Sequence, residues 1–410
     1  MRRGRQQWLV IGVLGAIFSL VAACSGQPQT QQQHGGGPKI PTAVSSIDKA
    51  KDATVYIEAR GGFFDAEREQ FGGVSYGQGS GFIIDQDGTA ITANHVVTGS
   101  SYLDVYVPGK TEPLRAQILG VSECSDLALI DIEGQGFPFI TWHEGKIESG
   151  LDVTAVGYPA EDVPAGEKPN EIVTAGIINS ANADGETSWA SVESVIEHQA
   201  TLHPGNSGGP LLDDEGKAVG INFASTDSDR FLAIGRDEAE PIISQLHTDD
   251  VQAIGVNGEA FLAERVGLSG IRVASVNTDS PAFEAGLRGV EISEVSGEPL
   301  EENYIIKLEG TRLAEDGTKT TYCNILRSHS SDDSLEIEVE RWIYDPNGDL
   351  EDIAIYDGVL NGEHLKRDDS KTEARLTQIR ELMRSAEATT GEQTTGGQTT
   401  YSSSASSSAP

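Results

Sequence analysis

The sequence has few basic residues, with 29 Lys and Arg against 64 Asp and Glu, for a formal net charge of −35. Proteins that bind nucleic acid rely on positive side chains that displace counterions from phosphates. This balance therefore argues against nucleic acid as a partner. An acidic surface favours solubility and attracts cationic or unfolded basic segments, and it is equally compatible with a salty or acidic habitat.

Long apolar runs are also scarce. The run over residues 8–23 follows a cluster of three arginines and is short for a membrane-spanning helix. This layout predicts an export signal over residues 1–23. The signal ends in VAAC, which resembles the bacterial lipobox and implies cleavage before Cys24 and lipid attachment to its sulfur. An uncleaved membrane anchor is the alternative, and both interpretations place the rest of the chain outside the cytoplasm, held at a membrane.

Cysteine is rare, with three residues in the whole chain. If Cys24 carries lipid, Cys124 and Cys323 remain, and they fall in different predicted domains. A disulfide framework is therefore not indicated. Each of the two is expected to be a small buried apolar residue.

Composition divides the chain into segments. Residues 24–43 are rich in Gln, Gly and Pro, which predicts a flexible tether. Over residues 44–248, short β-branched runs alternate with turns of Gly, Asp and Asn, and this pattern predicts antiparallel strands in a β-barrel or sandwich. The runs are ATVYIEA, SGFIID, AITANHVV, YLDVYV, LALIDIE, DVTAVGY, EIVTAGII, KAVGINFA and RFLAIG.

A second unit is predicted over residues 249–358. Its strand signals are QAIGVNG, GIRVASV, YIIKLEG and SLEIEVERW, and its helix signals are SPAFEAGL and the region around TKTTYCNILRSH. SPAFEAGL is a good helix start because Ser280 can cap the helix and Pro281 occupies its first turn.

Residues 359–410 predict a polar helix followed by a disordered tail. The helix covers Lys366 to Ala386 and carries an apolar side made of Leu376, Ile379, Leu382 and Met383. It is either a partner surface or a half-stable tail helix. From Thr389 the chain is mostly Thr, Gly, Gln and Ser, which cannot bury enough apolar area to order itself.

Residues 203–212, HPGNSGGPLL, surround Ser207 with three glycines and two prolines. Glycine reaches backbone angles that are costly for other residues, and proline fixes the chain, so the stretch predicts a rigid, bent turn. The turn either joins two strands or aims Ser207 Oγ outward while neighbouring N–H groups converge where an oxyanion could form.

The chain has only eight histidines, so candidate general bases are few. His95 ends the apolar strand AITANHVV, and Asp126 immediately precedes the strand LALI. A carboxylate held beside a buried strand needs a hydrogen-bond donor, which an imidazole N–H supplies. Along the chain these candidates occur in the order His95, Asp126, Ser207, which is the chain order of the triad in one known class of serine protease.

Five motifs in this order make the chain resemble the HtrA/Deg family of trypsin-like serine proteases. They are GSGFIID, ITANHVV, SDLALIDI, VTAVGYP and HPGNSGGPLLDDEGKAVGIN, and the resemblance covers roughly residues 44 to 357. It implies a mostly β chain: a trypsin-like double β-barrel protease domain followed by an α+β PDZ domain. It implies no cofactor and no metal, and family members are commonly trimers, so a homotrimer is possible.

The resemblance also implies site residues. Ser207 would be the nucleophile, His95 the general base and then acid, and Asp126 the group that orients the imidazole. The oxyanion donors would be the N–H groups of Gly205 and Ser207, with Asn206 on the same loop. The primary specificity pocket would be lined by Thr201, Leu202, Asn222 and Phe223.

None of these pocket residues is charged, so a small or medium apolar side chain is expected before the cut bond. His203 stands where the family usually has asparagine. His198 and His203 are either incidental or a source of pH sensitivity near the site.

The segment IGVNGEAFLAERVGLSGIRVASVNTDSPAFEAGL resembles the PDZ module of the same family. Such modules hold the terminal carboxylate of a peptide with backbone N–H groups of one loop, here Ala253, Ile254, Gly255 and Val256. The segment between AGL and YIIKLEG is long and acidic for this pattern. Binding of exposed or C-terminal peptide segments is the expectation, and a simple spacer is the alternative.

Other chemistries fit less well. The glycine-rich stretch 77–81 leads into a strand and not a helix, which argues against a dinucleotide loop. His143-Glu144 lacks a second histidine four residues after the first, so no zinc pair of that kind is expected. The stretch 345–349, DPNGD, resembles a calcium loop faintly and predicts a hairpin turn.

Together these features predict an envelope-anchored serine endopeptidase. Its substrates would be misfolded exported proteins, other unfolded or peptide segments, or a regulatory protein. A non-proteolytic chaperone or scaffold that uses the same cleft and the PDZ groove for binding is the alternative.

Overall fold

The computed structural model describes residues 43–61, 75–160, 163–164, 167–226, 230–248, 250–293, 295–330 and 332–392. The predicted export signal, the predicted lipid-bearing Cys24, nearly all of the tether and the low-complexity end of the tail lie outside these residues. Across the described ranges, no helix combines the length and apolar character needed to cross a membrane.

The first six strands close into a barrel in the order β1-β2-β3-β6-β5-β4. The interior is packed with β-branched side chains such as Ile57, Ile83 and Ile130, each fully buried, as in other small barrels. The strands are β1 Thr54–Gly61, β2 Ser75–Ile83, β3 Thr89–Ala93, β4 Ser100–Tyr106, β5 Leu114–Ser122 and β6 Leu127–Ile132.

The next six strands close into a second barrel in the order β10-β11-β12-β9-β8-β7. Its strands are β7 Asp152–Gly157, β8 Ile172–Glu186, β9 Ser191–His198, β10 Pro210–Leu212, β11 Ala218–Thr226 and β12 Arg230–Gly235. The predicted mostly β, trypsin-like double-barrel fold is confirmed.

One apolar cluster joins the two barrels. It contains Phe82 and Leu129 from the first barrel and Ile221 and Leu232 from the second. Helix α3, Arg236–Leu246, seals this cluster through Ala239, Ile242, Ile243 and Leu246. The shared core fixes the barrels relative to each other. Two shorter helices, α1 Ile47–Ala50 and α2 Asn94–Val97, lie before β1 and after β3.

The remaining strands form one sheet with the main order β13-β14-β16-β18-β19-β20, in which β15 and β17 pair with β16. The strands are β13 Val256–Ala263, β14 Leu268–Val276, β15 Glu291–Ile292, β16 Pro299–Leu308, β17 Thr311–Arg312, β18 Leu335–Tyr344, β19 Leu350–Leu360 and β20 Lys366–Arg367. The long acidic segment noted in the sequence therefore contributes β15 and the start of β16. The stretch 345–349 turns the hairpin between β18 and β19, as predicted.

Two helices pack on this sheet, α4 Pro281–Ala285 and α5 Thr320–Arg327. Ser280 Oγ accepts a hydrogen bond from Phe283 N at 3.3 Å, so Ser280 caps α4 as predicted. Tyr322, Cys323 and Leu326 of α5 enter the apolar core of the sheet.

Helix α6 spans Asp369–Glu392. Its Arg375 is buried and donates from Nε to Glu340 Oε2 at 2.8 Å. Ile379 is buried on the same domain, whereas Met383 is 56% exposed. The first half of the helix is thus attached to the sheet.

The expectation for Cys124 and Cys323 was wrong, because the two residues form a disulfide. That expectation assumed that cysteines in different domains lie far apart. The domain built on the sheet β13–β20, with α4 and α5, is called the second sheet domain below. In the structure Cys124, just after β5, lies in the apolar core of this domain, and its Cα is 5.5 Å from that of Cys323 on α5. Such a separation suits a disulfide.

Candidate active site

His95 and Asp126 meet at one end of the first barrel, where β3 ends and β6 begins. His95 is carried by α2, directly after β3, and Asp126 lies in the turn before β6. His95 Nδ1 is 2.7 Å from Asp126 Oδ2, and the His95 backbone N–H donates to Asp126 Oδ1 at 2.9 Å. Both carboxylate oxygens are therefore aimed at one residue, which fixes the imidazole in a single orientation.

The backbone of Asp126 is in the left-handed region, with φ of 50°. A non-glycine residue in this region costs about 1–3 kcal/mol, so the surrounding contacts must hold it there. One of these contacts is a hydrogen bond from Asn94 N to Asp126 O at 3.1 Å. With the two bonds to His95, three hydrogen bonds tie the Asp126 turn to α2.

Ser207 lies on a bent turn before β10, as the sequence predicted. Gly205 and Gly208 on either side have φ of 96° and 83°, which glycine adopts without steric cost. Ser207 is 8% exposed, and its Oγ donates to Phe223 O at 3.4 Å. The turn therefore holds the hydroxyl in a largely buried position.

Ser80 fastens this turn to the first barrel, a role that the sequence analysis missed. Its backbone N–H donates to Ser207 O at 2.9 Å, and its Oγ donates to Gly205 O at 2.7 Å. The same Oγ accepts a hydrogen bond from Tyr158 N at 2.8 Å. The motif GSGFIID carried a strand signal, and nothing local in it identifies this contact across the two barrels.

The amides of the turn are used in different ways. Asn206 N donates to His203 O at 2.9 Å, and Gly208 N donates to Asn222 O at 2.7 Å. These two amides therefore serve the turn itself. That the N–H groups of Gly205 and Ser207 are the oxyanion donors stays a prediction.

The four predicted pocket residues differ in exposure. Thr201 is exposed and Leu202 is half-buried, whereas Asn222 and Phe223 are buried. The Asn222 side chain donates from Nδ2 to Gly209 O at 3.1 Å, and this bond stabilises the turn that carries Ser207.

Three further side chains near the predicted site have contrasting environments. His198 is 1% exposed, and burial lowers the pKa of its imidazole to about 4. His203 is exposed. The Trp189 ring lies 6.2 Å from the His95 ring between centroids, at a tilt of 50°.

The predicted carboxylate-binding loop does hold a carboxylate, and it comes from the same chain. The backbone N–H groups of Ile254, Gly255 and Val256 donate to Glu123 Oε1 at 2.8, 2.6 and 2.7 Å. Ala253, the fourth predicted residue of the loop, packs against the core of the first barrel. No local feature of the sequence singles out Glu123.

A second His-Asp pair lies elsewhere in the protein. His143 Nδ1 is 2.7 Å from Asp213 Oδ2. Asp213 Oδ1 also accepts hydrogen bonds from the N–H groups of Glu215 and Lys217 at 2.9 and 2.8 Å. These bonds brace the turn between β10 and β11.

The chain is similar to proteases of known type. A family description, the trypsin-like peptidase domain, matches residues 79–221. A probable periplasmic serine endoprotease DegP-like from Ectopseudomonas mendocina is 34% identical over 238 residues, which are 54% of this chain and 48% of the relative. The serine protease HTRA1 of Xenopus laevis is 30% identical over 327 residues, which are 72% of this chain and 68% of the relative.

Among solved structures, an HtrA-type protease AlgW with decapeptide matches with a TM-score of 0.43 and 24% identity. The match covers 76% of this chain and 97% of that one. The chain spans about half the length of several curated relatives that it matches.

Proposed function

The chain belongs to the HtrA/DegP family of trypsin-like serine proteases, and we propose that it is an endopeptidase in which Ser207 attacks the peptide carbonyl. His95 takes the serine proton and returns it to the leaving amine. Asp126 keeps the imidazole in the required tautomer and stabilises its charged form. The observation that carries the proposal is the contact of 2.7 Å between His95 Nδ1 and Asp126 Oδ2.

This contact supports catalysis because it gives the two nitrogens of the His95 ring different roles. With Nδ1 directed at a carboxylate that is 3% exposed, Nε2 is the ring atom that can act as a base. Ser207 sits on a turn that Ser80 fastens to the same barrel as His95. Oxyanion stabilisation is assigned to the N–H groups of Gly205 and Ser207, because turn amides that converge beside a nucleophile stabilise the developing charge.

The proposed substrates are unfolded or exposed peptide segments with a small or medium apolar residue before the cut bond. Leu202 is half-buried in the second barrel and Phe223 is buried beside Ser207. None of the four proposed pocket residues carries a charge, so a charged side chain would lose its hydration without a partner there.

The proposed location is outside the cytoplasm. The resemblance of VAAC to a lipobox supports lipid attachment at Cys24, and the DegP-like relative named above is described as periplasmic. A disulfide within the chain agrees with an oxidising compartment.

A fluorophosphonate probe tests the enzyme assignment. The purified chain should be labelled at Ser207 and should cut an unfolded protein substrate, and Ser207→Ala should abolish labelling and lower turnover by roughly four to six orders of magnitude. Mapped cut sites should be enriched in small or medium apolar residues before the bond and absent with Ser207→Ala. Failure to label while Ser207→Ala still prevents a client from aggregating would favour the scaffold alternative and reject the proposal.

A further inference from the structure

Glu123 is a buried acid that the proposed reaction does not use. Its side chain accepts three consecutive backbone N–H groups at the start of β13, those of Ile254, Gly255 and Val256. A run of amides that converges on one point forms an anion-binding concavity. Gly255 makes this conformation possible, with φ of 91° and no room for a side chain, because a Cβ would lie 1.9 Å from Ser280 Cβ.

Helix α5 binds the same segment from the other side. Tyr322 Oη donates to Glu123 Oε2 at 2.5 Å, and Lys319 Nζ donates to the Glu123 backbone oxygen at 3.2 Å. The next residue along the chain, Cys124, is joined to Cys323 of α5 by the disulfide. The neighbours Glu123 and Cys124 are thus joined to the neighbours Tyr322 and Cys323 of α5.

The ammonium of Lys319 lies among acids of both domains. Lys319 is 2% exposed and interacts electrostatically with Glu123, Asp126 and Glu259. Burial lowers the pKa of this ammonium, while the three carboxylates act in the opposite direction. The second sheet domain therefore places the Lys319 side chain where it interacts with both Glu123 and the proposed catalytic acid, Asp126.

The anchored segment leads directly to Asp126, which follows Glu123 by three residues and has strained backbone angles. Cys124 O accepts a hydrogen bond from Ser191 N at 2.8 Å, which holds the segment against the second barrel as well. The segment that leads into the Asp126 turn is in this way held by both the second barrel and the second sheet domain.

The second sheet domain also contacts the helix that carries His95. Asn257 Nδ2 donates to His95 O at 3.2 Å. Ser275 Oγ donates to Thr98 O at 2.7 Å, and Asn277 Oδ1 accepts from Gly99 N at 3.0 Å. Both members of the His95–Asp126 pair are therefore held by the same domain.

We propose that Glu123 is a positioning residue for the His95–Asp126 pair: its carboxylate occupies the anion-binding loop 254–256 as an internal ligand, and the Cys124–Cys323 disulfide keeps it there. The oxidised protein consequently keeps this loop closed to the terminal carboxylates of other chains. This inference rests on the proposed function for its catalytic part, whereas the occupancy of the loop does not.

The catalytic part is tested with Glu123→Gln, which keeps the shape and size of the side chain. The amide oxygen of the variant can still accept the three N–H groups, but the side chain loses the negative charge that strengthens those bonds, and an NH₂ replaces the oxygen that accepts from Tyr322 Oη. The turn should therefore loosen. We expect kcat on a fluorogenic peptide to fall at least tenfold while KM changes less than about threefold, since orientation of the pair acts on the transition state. The downfield proton NMR signal of the His95 Nδ1–H should weaken or shift.

Glu186→Gln is the matched control. Glu186 also reaches α5 from the barrels, through a hydrogen bond from Thr320 Oγ1 at 2.6 Å, but it does not lead to Asp126. This variant should keep kcat, KM and the His95 signal. A Glu123→Gln protein with the same kcat and the same His95 signal as the parent would overturn the positioning role.

Reduction supplies a second test that needs no substitution. A dithiol reductant gives two electrons and two protons to the S–S bond, is itself oxidised to a cyclic disulfide, and leaves thiols at Cys124 and Cys323. A synthetic peptide that ends in a free valine carboxylate should bind the reduced protein at least tenfold more tightly than the oxidised protein. Its amidated twin should bind neither form.

The outcomes separate the two hypotheses. If the fluorophosphonate probe does not label the parent protein, the proposed function fails, and the peptide measurement still decides whether Glu123 fills the loop. If the oxidised parent binds the free carboxylate as tightly as the reduced form and prefers it to the amide, the internal-ligand proposal fails while the protease assignment stands. If Glu123→Gln does not fold, the comparison of oxidised with reduced parent carries the test.

Discussion

His143 and Asp213 are joined through Nδ1 and Oδ2 at 2.7 Å, the same atoms and the same distance that join His95 to Asp126. Within the described part of the chain these two His-Asp contacts thus share their atoms and their distance, and one of them lies where the family resemblance puts catalytic residues. The Nδ1–Oδ2 distance alone does not distinguish them. The second pair is therefore an internal control for the chemistry assigned to the first.

Asp126→Asn should lower kcat by about 10⁴-fold, because the amide no longer holds the imidazole in the tautomer that accepts the serine proton. Asp213→Asn should leave kcat within about twofold of the parent and lower only the melting temperature, since Asp213 braces a turn. Peptidase kinetics and thermal melts of both variants make the comparison. Similar kinetic losses in the two would contradict the assignment of Asp126.

Gly208→Ala should disrupt the nucleophile turn. Gly208 has φ of 83°, and an added Cβ would lie 2.3 Å from Ser80 O and 2.6 Å from Thr92 Oγ1. Strain and overpacking together should cost about 2–6 kcal/mol of unfolding free energy and at least a hundredfold in kcat/KM. Gly109→Ala is the control, because its φ of 78° is similar and no heavy atom lies within 4 Å of an added Cβ. Equal effects would mean that backbone angle alone, and not the contact with Ser80, matters.

Arg375→Met should detach the last helix from the sheet. Arg375 and Glu340 are both buried, and Glu340 also accepts from Trp342 Nε1 at 2.9 Å. Removing the guanidinium leaves a buried carboxylate without its charge partner, which should cost about 3–5 kcal/mol. Arg380→Ala, at an exposed position of the same helix, should change stability by less than about 0.5 kcal/mol. Urea unfolding of both variants measures the difference, and a similar small change in both would show that the helix is not anchored there.

His198 should make stability depend on pH. The unfolded imidazole binds a proton near pH 6.5, whereas burial holds the folded pKa near 4. The unfolded state therefore binds more protons between these values, and the stabilising contribution, complete above pH 6.5, is lost as pH falls towards 4. The loss amounts to roughly 3 kcal/mol.

The measurement is urea unfolding at several pH values for the parent and for His198→Asn. The variant should show a shallower decline between neutral pH and pH 4.5, whatever its absolute stability. His203→Asn, at an exposed position, should retain the slope of the parent. A parent slope that survives in His198→Asn would place the titrating group elsewhere.

Much of the fold could be predicted because its signals are local. The runs before Ser207 and around His95 alternate short β-branched stretches with turn residues, and Ser280-Pro281 announces a helix start within a few positions. Each of these patterns predicts the local structure of the residues that form it. Strands such as β1, β6 and β12 and the cap of α4 followed from them, whereas β5, β9 and β19 coincide with no predicted run.

The contacts that join distant segments could not be predicted in this way. Glu123 reaches its loop across 131 to 133 positions of sequence, and Ser80 reaches Gly205 across 125. A glutamate before a cysteine has no local feature that separates it from a solvated residue. The rejected disulfide is the same case, because spacing in sequence says nothing about how closely two domains pack.

The disulfide also closes a covalent ring that includes the end of the first barrel, the whole second barrel and half of the second sheet domain, with its two cysteines 199 positions apart. One hydrolysed peptide bond inside that ring leaves a nicked molecule whose pieces remain linked through sulfur. On a gel without thiol such a molecule would migrate as one species, and adding thiol would release two fragments. Damage by self-digestion would therefore escape notice in any purity check made under non-reducing conditions.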